Sequence, residues 1–436
     1  MTIDSGWTRI LKENCPSAFL DSLPQNNLPK VVFIDGQIKL MKSNAILTWE
    51  VFYKVQFKKT IEFAFSSGAD VVVLGFDNYK HVPDAKAPTQ RKRSSKVQTW
   101  EFGEDEDLPP VIPDCWPMAI RNRTFKSKVI KMVCNNLRRE TFVNKTLVID
   151  WIGTPVIIGS QIKLPEVCFS QDAKRGECDI KAFNYMEMGS LLIMSTDGDY
   201  IPIALLQCAE KKGNVFLYRV KTKTNQENGV KKRKNIAVKG NSSRLEYEYV
   251  NINRLLSFVK GEFYQAKSPV DCFATLIATT GCDFTQNLPK LGPVKLWKNR
   301  KELLSIVSAL QFSYSESLAI SLMIIYVLNA GNSTSPSVIQ KLRSALTQIS
   351  MLKNDPKYFD EPVKIFQAWV LASAKSMQWP IERLFAHCKN TKWTLSYWKL
   401  LHAFPCPTEV ESTGNSAYGF LLDKRGRINF EANPQQ

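Results

Sequence analysis

The stretch KVVFIDGQI, residues 30–38, decides the fold. Val31, Val32, Phe33 and Ile34 form an unbroken apolar run that stops at Asp35-Gly36. A short run of this kind, bounded by a turn signal, reads as a strand buried on both faces. The stretch ADVVVLGFDNYK, residues 69–80, repeats the pattern and delivers Asp77 just past its apolar end. Between the two, Leu47 to Phe65 carries Trp49, Val51, Phe52, Val55 and Ile61 at mixed three- and four-residue steps, the spacing of a helix. Strand, helix, strand makes a βαβ unit, hence an α/β fold with a mostly parallel central sheet flanked by helices.

Outward from this unit the pattern continues. TLVIDWIG (146–153) predicts a third strand and PVIIGSQIKL (155–164) a hairpin arm. The run 175–206, RGECDIKAFNYMEMGSLLIMSTDGDYIPIALL, predicts a helix opening near Glu177, a strand LLIMST, and a turn Asp197-Gly198-Asp199 that starts another helix. NVFLYRV and LEYEYVNINRLLSFV flank a basic insert at 221–244 expected on the surface. VDCFATLIATTGCDF predicts a helix ending at Asp283, and TQNLPKLGPVKLWKN a helix, a Gly-Pro turn and a second helix. Beyond Lys301 the pattern is helical and aromatic.

From Lys80 to Glu140 no strand period occurs. Basic QRKRSSK gives way to the acidic, proline-rich EFGEDEDLPPVIPDCWP (101–117), expected as a mobile loop, and then to RNRTFKSKVIKMVCNNLRRE, expected as a helix from Phe125 to Leu137 with its cations outward.

Composition narrows the function classes. Lys+Arg 58 against Asp+Glu 41 gives a formal charge of +17, which points to a polyanionic partner, nucleic acid being the commonest. The ten cysteines include no Cys-x-x-Cys pair, and the opening MTIDSGWTRILKEN lacks a secretory apolar run, so the expectation is a reducing, intracellular compartment. The most apolar stretch, Leu318 to Leu328, falls short of the ~20 residues a bilayer requires, so no membrane partner is expected. The three histidines, His81, His387 and His402, have no zinc-like spacing, which leaves ionic chemistry to carboxylates.

The carboxylates that stand out are Asp35, Asp77, Glu177, Asp179, Asp197, Asp199 and Asp283, most of which fall where an apolar strand or helix ends. Strand C-termini of a parallel sheet gather along one edge, where ligands bind. Like charges gathered there repel unless cations neutralise them, and hard oxygen donors without His or Cys select Mg2+ or Mn2+. Any single Asp after a strand is otherwise an ordinary turn former or N-cap.

In their order and context, FIDGQ, GFDNYK, GECDIKAF, STDGDYI and TTGCDFTQNLPKLGP resemble the metal-binding blocks of the flap endonuclease family of structure-specific 5′ nucleases, a PIN-like fold. The resemblance spans about Gly6 to Lys301 and is strongest in the last three blocks. It implies a divergent member, of a kind found in large DNA viruses and protists, with a nuclease core over 1–300 and a helical C-terminal region, 301–436, of unassigned role. Within the core it implies an arch region, 80–140, and a helix-turn-helix, 284–300.

The resemblance further implies two Mg2+ ions, replaceable by Mn2+. Asp35, Asp77, Glu177 and Asp179 would surround mainly the first, and Asp197, Asp199 and Asp283 the second. It implies Lys86, Arg91 and Arg93 as catalytic cations on the scissile phosphate, and Lys126, Lys128 and Lys131 along the strand entrance. Lys290, Gly292 and Lys295 would contact duplex phosphates. Three departures stand out: Lys290 replaces the first helix-turn-helix glycine, Asp179 stands where Glu is usual, and a longer N-terminus replaces Met-Gly.

The expected activity is Mg2+-dependent hydrolysis of branched, flap-type or single-strand-tailed DNA by a two-metal mechanism. The expected setting is DNA replication, repair or recombination in the nucleus or at a replication site, by a monomer without an evident sliding-clamp peptide. Two alternatives stay open: a ribonuclease on the same scaffold, of 5′→3′ exoribonuclease or host-shutoff type, and a catalytically idle nucleic-acid-binding protein.

Overall fold

A computed structural model describes residues 5–41, 46–78, 100–169, 177–211, 213–220, 246–264, 268–282 and 292–301, with a few positions outside these ranges. The chain divides into two compact units. The first comprises Leu11–His81 and Val97–Leu255, and the second Met1–Ile10, Val82–Lys96 and Leu256–Gln436.

The first unit is built on an eight-stranded sheet. Its strands are β1 (Phe19–Leu20), β2 (Val31–Asp35), β3 (Val71–Gly75), β4 (Thr146–Asp150), β5 (Val156–Gly159), β6 (Leu191–Met194), β7 (Val215–Val220) and β8 (Tyr247–Asn251). They lie in the order β1-β8-β7-β6-β2-β3-β4-β5. The central five are parallel: Val31 of β2 pairs with Val71 of β3 and with Leu191 of β6, Val71 pairs with Thr146 of β4, and Leu191 pairs with Val215 of β7. β5 runs antiparallel to β4 and β8 antiparallel to β7, as the predicted hairpin arm requires of the first pair. Every residue of β2, β3, β4 and β6 is buried, which is why these strands read as continuous apolar runs.

The chain steps outward from β2 through β3 to β4, then returns to the other side of β2 to lay down β6 and β7. Crossovers therefore depart in opposite directions from β2 and β6. Their C-terminal ends leave a crevice, the usual ligand position of an open α/β sheet.

The bridging helix between β2 and β3 comes in three pieces: Trp49–Phe52, a π-helical segment Tyr53–Lys58, and Lys59–Ser66. The wider π turn brings Phe52, Tyr53, Phe57 and Ile61 onto the sheet, while Val51 and Val55, read as part of the apolar stripe, face outward.

The acidic stretch 101–117 departs from the mobile loop expected of it. Trp100 and Phe102 stack at 5.4 Å and both meet the Phe125 ring edge-on. The Trp49 indole N–H donates to Pro109 O at 2.7 Å, Ile112 N donates to Leu47 O at 3.3 Å, and Trp116 is buried. Aromatic anchors between the charges bury enough surface to fix the backbone, so charge density alone misjudges it. The following helix, Arg123–Leu137, matches its prediction, with Asn122 Oδ1 capping Phe125 N at 3.0 Å.

In the second unit, the helix Pro269–Thr280 carries Phe273, which meets Trp7 at 5.6 Å, and the Trp7 indole N–H donates to Thr280 Oγ1 at 2.8 Å. Phe263 and Trp297 pack beside it, and Arg300 lies over the Trp297 ring while its guanidinium pairs with Glu262. Leu421–Leu422 and Ile428–Asn429 pair as two short antiparallel strands. Among the described residues no helix is long and apolar enough to cross a membrane. The apolar stretch 318–328 and the basic insert 221–244 lie outside the described residues.

Candidate active site

Asp35 is the last residue of β2, at the crevice beside β6. Burial leaves its carboxylate few partners: Gln37 N donates to Oδ1 at 3.0 Å, and the Ser195 hydroxyl, just past β6, donates to Oδ2 at 3.1 Å. The Tyr200 hydroxyl reaches the same oxygen at 3.4 Å. Asp197 and Asp199 follow on the loop after β6. Ser195 Oγ accepts from Asp197 N at 3.1 Å, and Asp197 Oδ1 accepts from Asp199 N at 3.0 Å, so the Thr-Asp-Gly-Asp turn is held by its own polar side chains.

Asp77 lies two residues beyond β3. Its Oδ1 accepts from Cys178 N at 2.8 Å, which ties it to the turn that carries Glu177 and Asp179. Glu177 caps the helix Cys178–Lys181, and Glu177, Asp179 and Asp199 are all buried, whereas Asp77 and Asp197 are half-buried. Gly75 makes this approach possible: a Cβ there would collide with the Phe33 ring and, at 2.9 Å, with Cys178 Sγ.

The acids act on one another's charge and on the groups between them. The Asp35 carboxyl is pushed up from 3.8 to about 7, first by burial and then by the charges of Asp77 and Asp197, against the hydrogen bonds from Ser195 and Gln37. Burial and then Asp35, Cys178, Asp179 and Asp197 hold the Tyr200 phenol well above its ordinary range, and burial, Asp35 and Asp77 do the same to the Cys178 thiol. Asp35 thus feels the charges of Asp77 and Asp197, and the Tyr200 phenol that reaches Asp35 feels those of Asp179 and Asp197. Among the described residues no three acids, histidines or cysteines stand close enough to enclose an ion. The donor chemistry nonetheless fits a hard divalent cation: it is all carboxylate, and burial, reinforced by the charges of Asp77 and Asp197, disfavours an uncompensated charge on Asp35.

Three of the described cations feel these acids' charges. Burial lowers the Lys126 ammonium, and the charge of the Asp77 carboxylate opposes that lowering. Lys39 feels Asp35, and Arg219 on β7 feels Glu248 and Asp197. Lys128 is engaged within the chain: its ammonium donates to Glu106 O and sits 5.6 Å from the Phe102 ring centroid. Lys131, on the same helix, is exposed. In the second unit Gly292 caps the helix Pro293–Lys298, which carries Lys295 in its last turn. Asp283, Lys86, Arg91, Arg93 and Lys290 lie outside the described residues.

Four participants escaped the sequence reading. Ser195 and Tyr200 flank the STDGDY block that was read only for its acids. Asp150, at the end of β4, and Lys181 form a buried ion pair at 3.2 Å. A lysine inside the apolar turn CDIKAF was the available signal for that pair.

Among solved structures, the chain is similar to "the catalytic core of Rad2 in complex with DNA substrate (complex II)", at 14% identity and a TM-score of 0.36 over 90% of this chain and 99% of that one. The complex III and complex IV structures of the same core align at 14% and 12% identity with TM-scores of 0.34 and 0.35, over 88% of this chain and 98% of each of theirs. No family model and no curated protein matches the chain.

Proposed function

We propose that the protein is a divalent-metal-dependent structure-specific nuclease, a divergent member of the flap endonuclease family that hydrolyses phosphodiesters of branched, 5′-tailed DNA. The observation that supports this reading is Asp35 itself, buried at the end of β2 where the crossovers diverge and under the charges of Asp77 and Asp197, which come from separate parts of the chain. Its setting would be DNA replication, repair or recombination.

In this reading Asp35, Asp77, Glu177 and Asp179 hold one Mg2+, and Asp197, Asp199 and Asp283 a second. Bound there, the ions supply Lewis-acid charge at the phosphodiester and neutralise the carboxylates. The chain's own groups do the rest. Burial of Asp35 keeps water from competing for its oxygens, Ser195 and Tyr200 fix the direction of its Oδ2, and the Asp199 N–H fixes Asp197 Oδ1. Lys126, which feels the Asp77 charge, and Lys131 further along the helix would line the strand entrance, with Lys86, Arg91 and Arg93 as the cations of the scissile phosphate. Gly292 and Lys295 would grip duplex phosphates through the start of a helix and a surface ammonium.

The test is cleavage of matched 5′-flap DNA and RNA substrates by the full chain in Mg2+, beside Asp197→Asn and Asp283→Asn. Both variants should lose about 10³-fold or more in cleavage while binding flap DNA as well as or better than the parent, since a charge facing phosphate is removed. Normal cutting by the variants refutes the acid assignment. Cleavage of RNA alone moves the enzyme to the ribonuclease class, and DNA binding without any Mg2+-dependent cleavage leaves a binding protein.

A further inference from the structure

Lys181 is 1% exposed, and three oxygens surround its ammonium. It donates to Phe76 O at 3.0 Å and Trp151 O at 2.7 Å, and pairs with Asp150 Oδ1 at 3.2 Å. Asp150 is held in turn by the Tyr185 hydroxyl, which donates to Oδ2 at 2.8 Å.

The placement of these partners is specific. The parallel register of β3 and β4 ends at the pair Gly75 and Asp150, and Phe76 N still donates to Asp150 O at 2.8 Å. Phe76 O and Trp151 O are the next carbonyls on each strand, where sheet pairing has run out. Lys181 satisfies both, bridging the two strand ends from a helix that carries Asp179. Phe76 O also belongs to the peptide that leads into Asp77. With Cys178 N on Asp77 Oδ1 at 2.8 Å, that peptide and its side chain are clasped from both sides by the same four-residue helix. A lone buried hydrophobe at 181 would leave both carbonyls and the Asp150 charge unanswered.

We infer that Lys181 is a positioning residue of the candidate active site, a built-in cation whose clasp on Phe76 O fixes Asp77 relative to Glu177 and Asp179. The inference rests on the metal-dependent reading of that site. Lys181 itself touches neither substrate nor ion. Its effect passes through Asp77, as outer partners of metal ligands commonly act.

The test is Mn2+ binding to the full chain without nucleic acid, read by calorimetry, with flap cleavage measured in parallel. Lys181→Met leaves Asp150 uncompensated and threatens the fold. The informative variant is therefore Lys181→Met with Asp150→Asn, which removes the buried charges together and keeps the volume. With its melting transition retained, this variant should bind Mn2+ about 10-fold or more weakly, and excess Mn2+ should recover much of its cleavage. Added to Asp77→Ala, the same pair of changes should produce little further loss.

Unaltered Mn2+ binding by the folded double variant overturns the positioning role, and so does a loss fully additive with Asp77→Ala. Should the double variant also fail to fold, Lys181→Arg decides the matter: a folded arginine variant, whose planar head cannot reproduce the clasp on Phe76 O, should bind Mn2+ more weakly, and unaltered affinity overturns the positioning role. Absence of Mn2+ binding and of cleavage in the parent chain instead defeats the nuclease reading itself.

Discussion

Asp35 is under two opposed demands: its place at the end of a buried strand denies it water, and its neighbours Asp77 and Asp197 deny it charge. Its carboxyl rises from 3.8 in the unfolded chain to about 7 in the native pocket. The native state therefore binds a proton that the unfolded state releases between these values, and stability falls as pH rises through that window. At ~1.4 kcal/mol per pH unit the ceiling on this loss is ~4 kcal/mol. In chelator-treated protein the melting temperature should drop from pH 5 to pH 8, and Asp35→Asn should flatten the drop. Mn2+ should raise the melting temperature of the parent at pH 8 and do far less for the variant. An unchanged pH profile in Asp35→Asn would remove Asp35 from the strained cluster. At this scale the sequence was informative about acids, because most of them lie where an apolar strand or helix ends, and uninformative about Ser195, Tyr200 and Lys181, whose roles depend on what lies opposite them.

The acidic segment 101–117 shows how an element can be misread from charge. Its polar residues Glu104, Asp105, Glu106 and Asp107 are exposed, while Phe102, Ile112 and Trp116 are buried against the sheet's helical layer. The segment is thus a fixed acidic strap beside the basic helix Arg123–Leu137, with Lys128 bonded to Glu106 O. Fixed negative charge next to a basic helix should repel a nucleic-acid backbone. Neutralising the strap with Glu104→Gln, Asp105→Asn, Glu106→Gln and Asp107→Asn should raise DNA affinity several-fold at low salt, read by fluorescence anisotropy. Stability should change by less than about 0.5 kcal/mol per substitution, as expected of exposed positions. Equal affinity before and after would place the strap away from any nucleic-acid path. The bridging helix teaches the complementary lesson. Mixed three- and four-residue steps identified it, but only the π-helical segment Tyr53–Lys58 decides that Phe52, Tyr53 and Phe57 face inward and Val51 and Val55 outward.

For the molecule as a whole, a formal charge of +17 commits it to steep electrostatics with any polyanion. Affinity for flap DNA should fall by about 10³-fold or more between 50 and 200 mM salt if six or more phosphates are contacted, with log affinity linear in log salt. A shallow slope would mean that the charge serves solubility instead. The sequence by itself determined the α/β class, the buried parallel strands and the ends at which acids are delivered, because burial on both faces and helical periodicity are local properties written in consecutive residues. The tertiary structure alone decided which ends meet. Pairing β6 beside β2 brings Asp197 to Asp35, and a lysine from one turn closes the last carbonyls of β3 and β4. Such meetings depend on strand order and on partners about a hundred residues apart, as from Phe76 to Lys181, and no local pattern encodes them.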